Sequence, residues 1–373
     1  MREKNRKNAI EKMGKVLYNK IKEERKEANA VTFDTFLPDY GILPSAYFER
    51  SAITNPIELF WSDELLALLR LCGQKEEMVG ERASDYDRFL SICRSLPLLE
   101  GHSTRAWIAS ILEEYFNLKE LPTEETTPTA WKNICAGLMQ KPLSPQEFVS
   151  GAWLCDALVV PTYLPHNVTP VLNANLLLNT TAQNATVWSE EIAATVEHFA
   201  EHGCPKIVLQ LPNDFAFIAP SVYHIDKCLQ SAKHSRDADN LLLCQLMREL
   251  SSVAQQNKLL LLLVCKANAG EVSNLLEYCE NSVGLPRVCW SLREVREAHA
   301  LLTFTAKPRK NEIFAALPYE TIMTEHELFD ALESWQVRYP VGRLCFLTAR
   351  DLRQTPHAQA HIRDMLQNGK TKI

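Results

Sequence analysis

The residue types that could do chemistry here are few and oddly placed. The chain has ten histidines and none precedes His102. His198 and His202 stand four apart in a stretch that reads as helix, a spacing that can put two imidazoles on one zinc ion. No acidic third ligand sits beside them in a recognisable motif, so a solvated helix face is the plainer reading. Lys266 closes an apolar run. A desolvated ammonium there can lose its proton and attack a carbonyl, although a lysine at such a rim more often pairs with an anion. Asp351, next to Arg350, has the composition of an acid/base pair and equally that of a charged helix start. Tyr319 follows another apolar run. No GxSxG elbow, nucleotide-binding glycine loop or aromatic-plus-basic RNA signature is present.

What positions these groups is a series of short apolar runs: Ala30–Phe36, Ala157–Thr162, Thr169–Leu178, Lys206–Pro212, Lys258–Lys266, Pro286–Leu292, Glu312–Pro318 and Arg343–Ala349. Most are continuously apolar, as strands buried on both faces are, and buried strands of this kind belong to parallel sheets. Amphipathic helical stretches alternate with the later ones: Ser189–Glu201, Asp239–Gln256, Gly270–Glu280, Leu292–Leu302, Glu325–Gln336 and Thr355–Gln367. Strand, helix, strand in regular order means βαβ units. With no phosphate loop after the first strand, a closed (β/α)8 TIM-type barrel is expected rather than an open doubly wound sheet.

The first two strand runs are too far apart for one crossover helix, so the segment between them is expected to be an inserted helical subdomain. Its helices are expected at Pro56–Gly73, Ser84–Ser95, His102–Phe116, Thr129–Met139 and Ser144–Leu154, with Ser84, Thr129 and Ser144 as N-caps. The organisation expected is one barrel domain over 1–373, the insertion over 40–155, and seven further β/α units over 156–373. In such barrels the C-terminal strand ends carry the site. Besides Lys266, Tyr319, Arg350 and Asp351 as catalytic candidates, those ends offer Asp34, Thr162, Asn173, Asn175 and Arg293 as ligand-binding candidates.

Composition is that of an ordinary globular protein, with 46% hydrophobic and 23% charged residues and a net charge of -6. The basic residues near the N-terminus alternate with glutamates, which reads as a solvated helix face and not a nucleic-acid arm. The eleven cysteines include no CxxC pair and lie mostly in apolar runs, as buried thiols of a reducing compartment do. The opening Met-Arg-Glu-Lys-Asn-Arg-Lys has no apolar signal core, and the longest apolar run, Leu259–Cys265, is far below the roughly 18 residues a membrane span needs. A cytoplasmic location without membrane association is expected.

One run in the insertion carries a resemblance: Ala83-Ser84-Asp85-Tyr86-Asp87-Arg88-Phe89-Leu90, then Leu96-Pro97, then Gly101 with Trp107, Leu112, Tyr115 and Phe116, then Trp131. In this order and spacing it resembles the uronate (glucuronate) isomerases, a branch of the amidohydrolase superfamily. The resemblance implies a barrel fold, aldose–ketose isomerisation of glucuronate or galacturonate, and a divalent metal such as zinc in the barrel mouth. The departures fall on the family's site. Where the family has Asp-x-His-x-His, this chain is laid against Asp34-Thr35-Phe36-Leu37-Pro38, and no shift of alignment supplies a histidine before residue 102. The family's Thr-x-Asp-Pro strand end is laid against Pro161-Thr162-Tyr163-Leu164-Pro165, and its Arg-x-Asp against Asn173-Ala174-Asn175. A strand-end histidine falls on Lys266, and the last strand-end aspartate on Ala349.

No metal or other cofactor is therefore expected. The expected function is a uronate isomerase-like protein, catalytically silent, acting as a sugar-acid-binding or partner-binding scaffold. It would associate with itself or with an active homologue. The alternatives are an active isomerase with an unconventional site and a metal-independent enzyme of altered sugar-acid chemistry.

Overall fold

The computed structural model describes residues 40–50, 52–100, 102–145, 149–231, 234–265, 267–291, 313–318, 344–347 and 349–351. Its strands are β1 (Tyr40–Ile42), β2 (Gly151–Leu154), β3 (Val168–Asn173), β4 (Lys206–Leu211), β5 (Leu260–Cys265), β6 (Arg287–Ser291), β7 (Ile313–Pro318), β8 (Leu344–Leu347) and β9 (Ala349–Asp351). They form one sheet in the order β8-β7-β6-β5-β4-β3-β2-β1-β9, and every neighbouring pair is parallel. Only Thr348 separates β8 from β9. The same stretch of chain therefore pairs with β7 through Leu344–Leu347 and with β1 through Ala349–Asp351, and the two ends of the sheet meet there. The architecture is the (β/α)8 barrel.

Burial follows that closure. Tyr40, Leu154, Val171, Val208, Leu260, Leu262 and Cys289 pack together as a cluster separate from the main core. They occupy alternate positions of successive strands, the alternation that sends one face of each strand inward. The opposite faces, including Trp153, Leu172, Ile207, Leu209, Leu261, Leu263, Val288 and Trp290, belong to the main core outside the ring.

The outer helices begin where the sequence offers a cap. Those following the third, fourth and fifth strands are α6 (Ala185–Glu201), α7 (Val222–Leu229), α8 (Arg236–Gln256) and α9 (Ala269–Ser282). Asn184, Ser221, Ser235 and Asn268 each accept a backbone N–H of the first turn, satisfying donors that the helix itself leaves open. α8 packs between α6 and α9 and against β5, which is why apolar positions surround much of its circumference. No helix among the described residues is long and apolar enough to cross a membrane.

Residues 43–150, between β1 and β2, are the helical insertion. It contains Asp63–Leu71, Glu76–Val79, Asp85–Ser95, Ser103–Phe116 and Thr127–Gln140. Ser84 caps its helix as expected, with Asp87 N–H donating to Oγ at 3.1 Å while that hydroxyl donates to the Asp87 carboxylate at 2.6 Å. Aromatic residues of the motif run join Phe60 in a small core: Phe60 lies 6.3 Å from Trp107, and Phe89 lies 5.2 Å from Trp131, ring centre to ring centre.

Several sequence expectations shift. The strand between the last strand and β2 is Tyr40–Ile42, later in the chain than Ala30–Phe36, which lies outside the described residues. The second strand is Gly151–Leu154, not Ala157–Thr162, and the helix expected over Ser144–Leu154 does not reach its end. Gly151 sits at φ 117°, a conformation closed to most side chains, and this breaks the helical pattern that Ser144 and Pro145 begin. The apolar Leu158-Val159-Val160 run is irregular chain. β3 ends at Asn173, and Ala174–Asn179 is a 3-10 helix rather than more strand. The helix expected from Thr129 starts at Thr127, with Thr126 as its N-cap. The helices expected at Leu292–Leu302, Glu325–Gln336 and Thr355–Gln367 lie outside the described residues.

Candidate functional site

At the C-terminal ends of β1, β3, β4, β5 and β6 the inward positions whose side chains are described carry no charge. Tyr40 is 2% exposed and points inward from β1. Burial pushes its phenol up to about 12, and a hydrogen bond with the Gln210 side chain pulls the other way. The group is thus a neutral phenol at ordinary pH. Two residues on, Ile42 shares its direction and is half exposed at the rim. Asn173 continues the inward face of Val171, Gln210 that of Val208, Val264 that of Leu262, and Ser291 that of Cys289.

Asn175 does a different job from the one its position in sequence suggests. Its Oδ1 accepts from Gln210 N–H at 2.8 Å and its Nδ2 donates to Gln210 C=O at 2.8 Å. The carboxamide thereby imitates one further residue of strand pairing beyond the end of β3, and both its polar atoms are used in doing so. Asn173 Oδ1 accepts from Asn175 N–H at 3.3 Å, which starts the 3-10 turn that aims Asn175 at β4.

The rim is pinned across its loops. Ser45 N–H donates to Asp156 Oδ2 at 2.9 Å, and Tyr163 Oη donates to Glu49 at 2.7 Å, tying the chain after β1 to the chain after β2. The Glu49 carboxylate raises the Tyr163 phenol. From the other side, Val160 N–H donates to His198 Nε2 at 3.3 Å. That bond uses the lone pair His198 would need for a metal, and His202 Nδ1 lies 2.8 Å from the His198 carbonyl. The pair is structural in its hydrogen bonding.

Of the other residues singled out in the sequence, Thr162 is exposed in the turn after β2 and is not at a strand end. In the pairing of β9 with β1, Arg350 stands opposite Gly41 and Asp351 opposite Ile42. Asp34, Lys266, Arg293 and Tyr319 lie outside the described residues. Sequence reading passed over Tyr40, because nothing local marks an apolar tyrosine whose partner is on β4.

Several of the described thiols are buried and held protonated. Burial raises Cys155 and Cys279 to about 12 and Cys93 and Cys244 to about 11, so thiolate is scarce. Cys265, beside the strand end of β5, is 5% exposed and takes the Ala267 N–H at 3.2 Å. A second depression of about 820 Å³ lies in the insertion, walled by Trp61, Arg70, Glu76 and Arg88 among others. Two of its charged side chains are engaged: Arg70 grips Glu76 through two bonds of 2.7 and 3.0 Å, and Arg88 lies 5.0 Å over the Trp61 ring while donating to Gly80 C=O.

Residues 61–155 match the family model described as glucuronate isomerase. A uronate isomerase of Thermotoga maritima is 23% identical over 201 residues, covering 45% of this chain and 43% of the relative. One from Streptococcus uberis is 23% identical over 197 residues, covering 43% and 42%. The match thus spans less than half the length of these curated relatives. In structure the likeness runs further: the uronate isomerase of Thermotoga maritima superposes with a TM-score of 0.69 at 14% identity, over 92% of this chain and 90% of that one. The glucuronate isomerase of Caulobacter crescentus superposes with a TM-score of 0.64 at 11% identity, over 90% and 84%.

Proposed function

From the premise that the chain is a relative of the uronate isomerases, we propose that it keeps their barrel as a ligand- or partner-binding scaffold and does not catalyse metal-dependent isomerisation. The observation that carries this reading is the inward face of β1, where the alternate positions are Tyr40 and Ile42. Two imidazoles at alternate positions of this strand are what the family's Asp-x-His-x-His pattern provides. In this chain the inward positions of β1 carry a phenol held protonated and an aliphatic side chain, and no histidine precedes His102.

The divalent ion implied by the family needs three or more converging nitrogen, sulfur or carboxylate donors. The described mouth offers Asn173, Gln210 and Ser291, and among the described residues no three His, Cys, Asp or Glu side chains form a group able to hold a metal. This donor set does not fit the ion. Without an electrophile to stabilise an enediolate, proton transfer between adjacent carbons faces a large barrier. The parallel strands of the barrel, by contrast, are kept, and fold persists readily where chemistry is lost.

Metal analysis of the purified protein, paired with glucuronate and galacturonate isomerisation assays with and without added zinc or manganese, tests the proposal. The expected result is no stoichiometric metal and no turnover in either condition. Turnover that rises with added metal would overturn it.

A further inference from the structure

The crossovers that follow β3, β4 and β5 are helical, whereas residues 155–167, which carry the chain from β2 back to the start of β3, are turns and irregular chain throughout. Leu158, Val160 and Leu164 of this crossover nevertheless pack on the main core, Val160 at 6% exposed. A helix satisfies most of its own backbone, and this segment relies on partners outside itself. Ser45 N–H donates to Asp156 at 2.9 Å, the Tyr163 hydroxyl donates to Glu49 at 2.7 Å, and the Asn167 carboxamide donates to Val149 C=O at 2.7 Å. Between the first two ties, the Val160 N–H donates to His198 Nε2 of α6 at 3.3 Å. We propose that the crossover is a pH-sensitive strap, hooked to α6 by the neutral His198 ring and released between Asp156 and Tyr163 when that ring takes a proton. The strap belongs to the outer wall of the barrel and is independent of what the mouth holds.

The protonation state of the hook follows from its partner. A backbone N–H can only donate, so His198 Nε2 presents its lone pair and the ring is neutral, with its hydrogen on Nδ1. A proton added at Nε2 turns the acceptor into a second donor facing the Val160 N–H. The bond and the proton therefore exclude one another, and imidazole is the side chain that ordinarily exchanges its proton near neutral pH. His202 behaves otherwise. Its Nδ1 lies 2.8 Å from the His198 C=O, which can only accept, so that nitrogen already carries its hydrogen and a proton arriving at Nε2 leaves the bond in place.

The titratable groups around the hook come from several elements. On α6 itself, the His202 ring lies 4.4 Å from that of His198, and Glu197 and Glu201 are near in sequence. The crossover contributes Asp156 and Tyr163, both already tied, and the exposed His166. α8 contributes Arg248 and Glu249, paired at 3.1 Å, with Glu249 taking the Ser189 hydroxyl toward the other end of α6. α7 brings Asp226 to the Ala185 N–H at that same far end, β3 carries no titratable side chain, and burial keeps the Cys204 thiol protonated. Among the described residues no carboxylate pairs with the His198 ring. Once the hook is lost, the Val160 N–H regains a partner by turning out to water, because a buried donor left unpaired is costly.

Hydrogen exchange of the full chain, read by mass spectrometry on the peptide spanning Val160 and corrected for the intrinsic rate at each pH, is the test. Protection in the wild type is expected to fall about tenfold between about pH 8 and about pH 5.5, the worth of one hydrogen bond. His198→Gln puts a carboxamide oxygen, an acceptor at either pH, in place of the ring nitrogen, and is expected to keep protection level across that interval. His166→Gln and His202→Gln are expected to retain the wild-type fall. Thermal midpoints of the three variants show whether they fold. Equal protection of the wild type at both pH values, a fall in folded His198→Gln as large as that of the wild type, or a fall abolished by His166→Gln or His202→Gln would each overturn the proposal.

Discussion

Tyr40 is the residue in which burial and chemistry meet most directly. Its phenol is raised from 10 to about 12 because the barrel interior penalises the charged form. The unfolded chain would release this proton near pH 10 and the folded chain near pH 12. The native state therefore holds the extra proton in that window, and stability must fall as pH rises through it. The full contribution is present below about pH 10, and its loss amounts to about 3 kcal/mol. The buried thiols, raised from 9 to 11 or 12, act with the same sign from about pH 9 upward. Urea unfolding at about pH 8 and about pH 10.5 should show the decline, and Tyr40→Phe should flatten part of it. An unchanged slope in that variant would mean the phenol is not the group responsible.

At the scale of elements, the Asn175 carboxamide stands in for strand pairing, so Asn175→Ala should leave the Gln210 N–H and C=O without these partners. A cost of about 1–3 kcal/mol is expected, read as a lower urea midpoint with an unchanged slope. The same residue shows what the sequence made legible. Strands β4 to β8 could be read because each has a mostly apolar stretch of strand length, as strands buried on both faces do. β2 could not, because four residues, Gly151–Leu154, follow directly on a helix-start pattern, and the glycine dihedral that separates them is invisible in composition. Asn173 and Asn175 were recognisable as polar groups at a strand end. Whether such a group faces a ligand or ties down a neighbouring strand depends on a 3-10 turn that no spacing rule announces. Tyr40 was hidden for a similar reason, since its pairing with Gln210 exists only once the ring has closed.

For the whole molecule, the insertion and the barrel share one apolar core. Phe48, in the insertion, meets Trp153 of β2 edge-on at 5.0 Å, and the Trp153 indole donates to Leu43 C=O at 2.7 Å. The same cluster runs on to Trp107 in the insertion and to Trp188 and Trp290 around the ring. Thermal unfolding followed by tryptophan fluorescence and by far-ultraviolet circular dichroism should therefore coincide in one transition, and two separated transitions would show the parts to be independent. Trp153→Ala should cost about 3–5 kcal/mol, because it empties a fully buried site and orphans a carbonyl. The ring itself is unevenly hooped. β4 and β5 are matched at six positions, whereas β1 is matched at three with β9 and at a single position with β2. The stave with the fewest rungs is thus the one that carries Tyr40, so the floor of the mouth hangs from the part of the ring most easily sprung. Anything that bridges Tyr40 to Gln210 would act as a rivet across that joint, and the amide hydrogens of Tyr40–Ile42 would exchange more slowly in its presence.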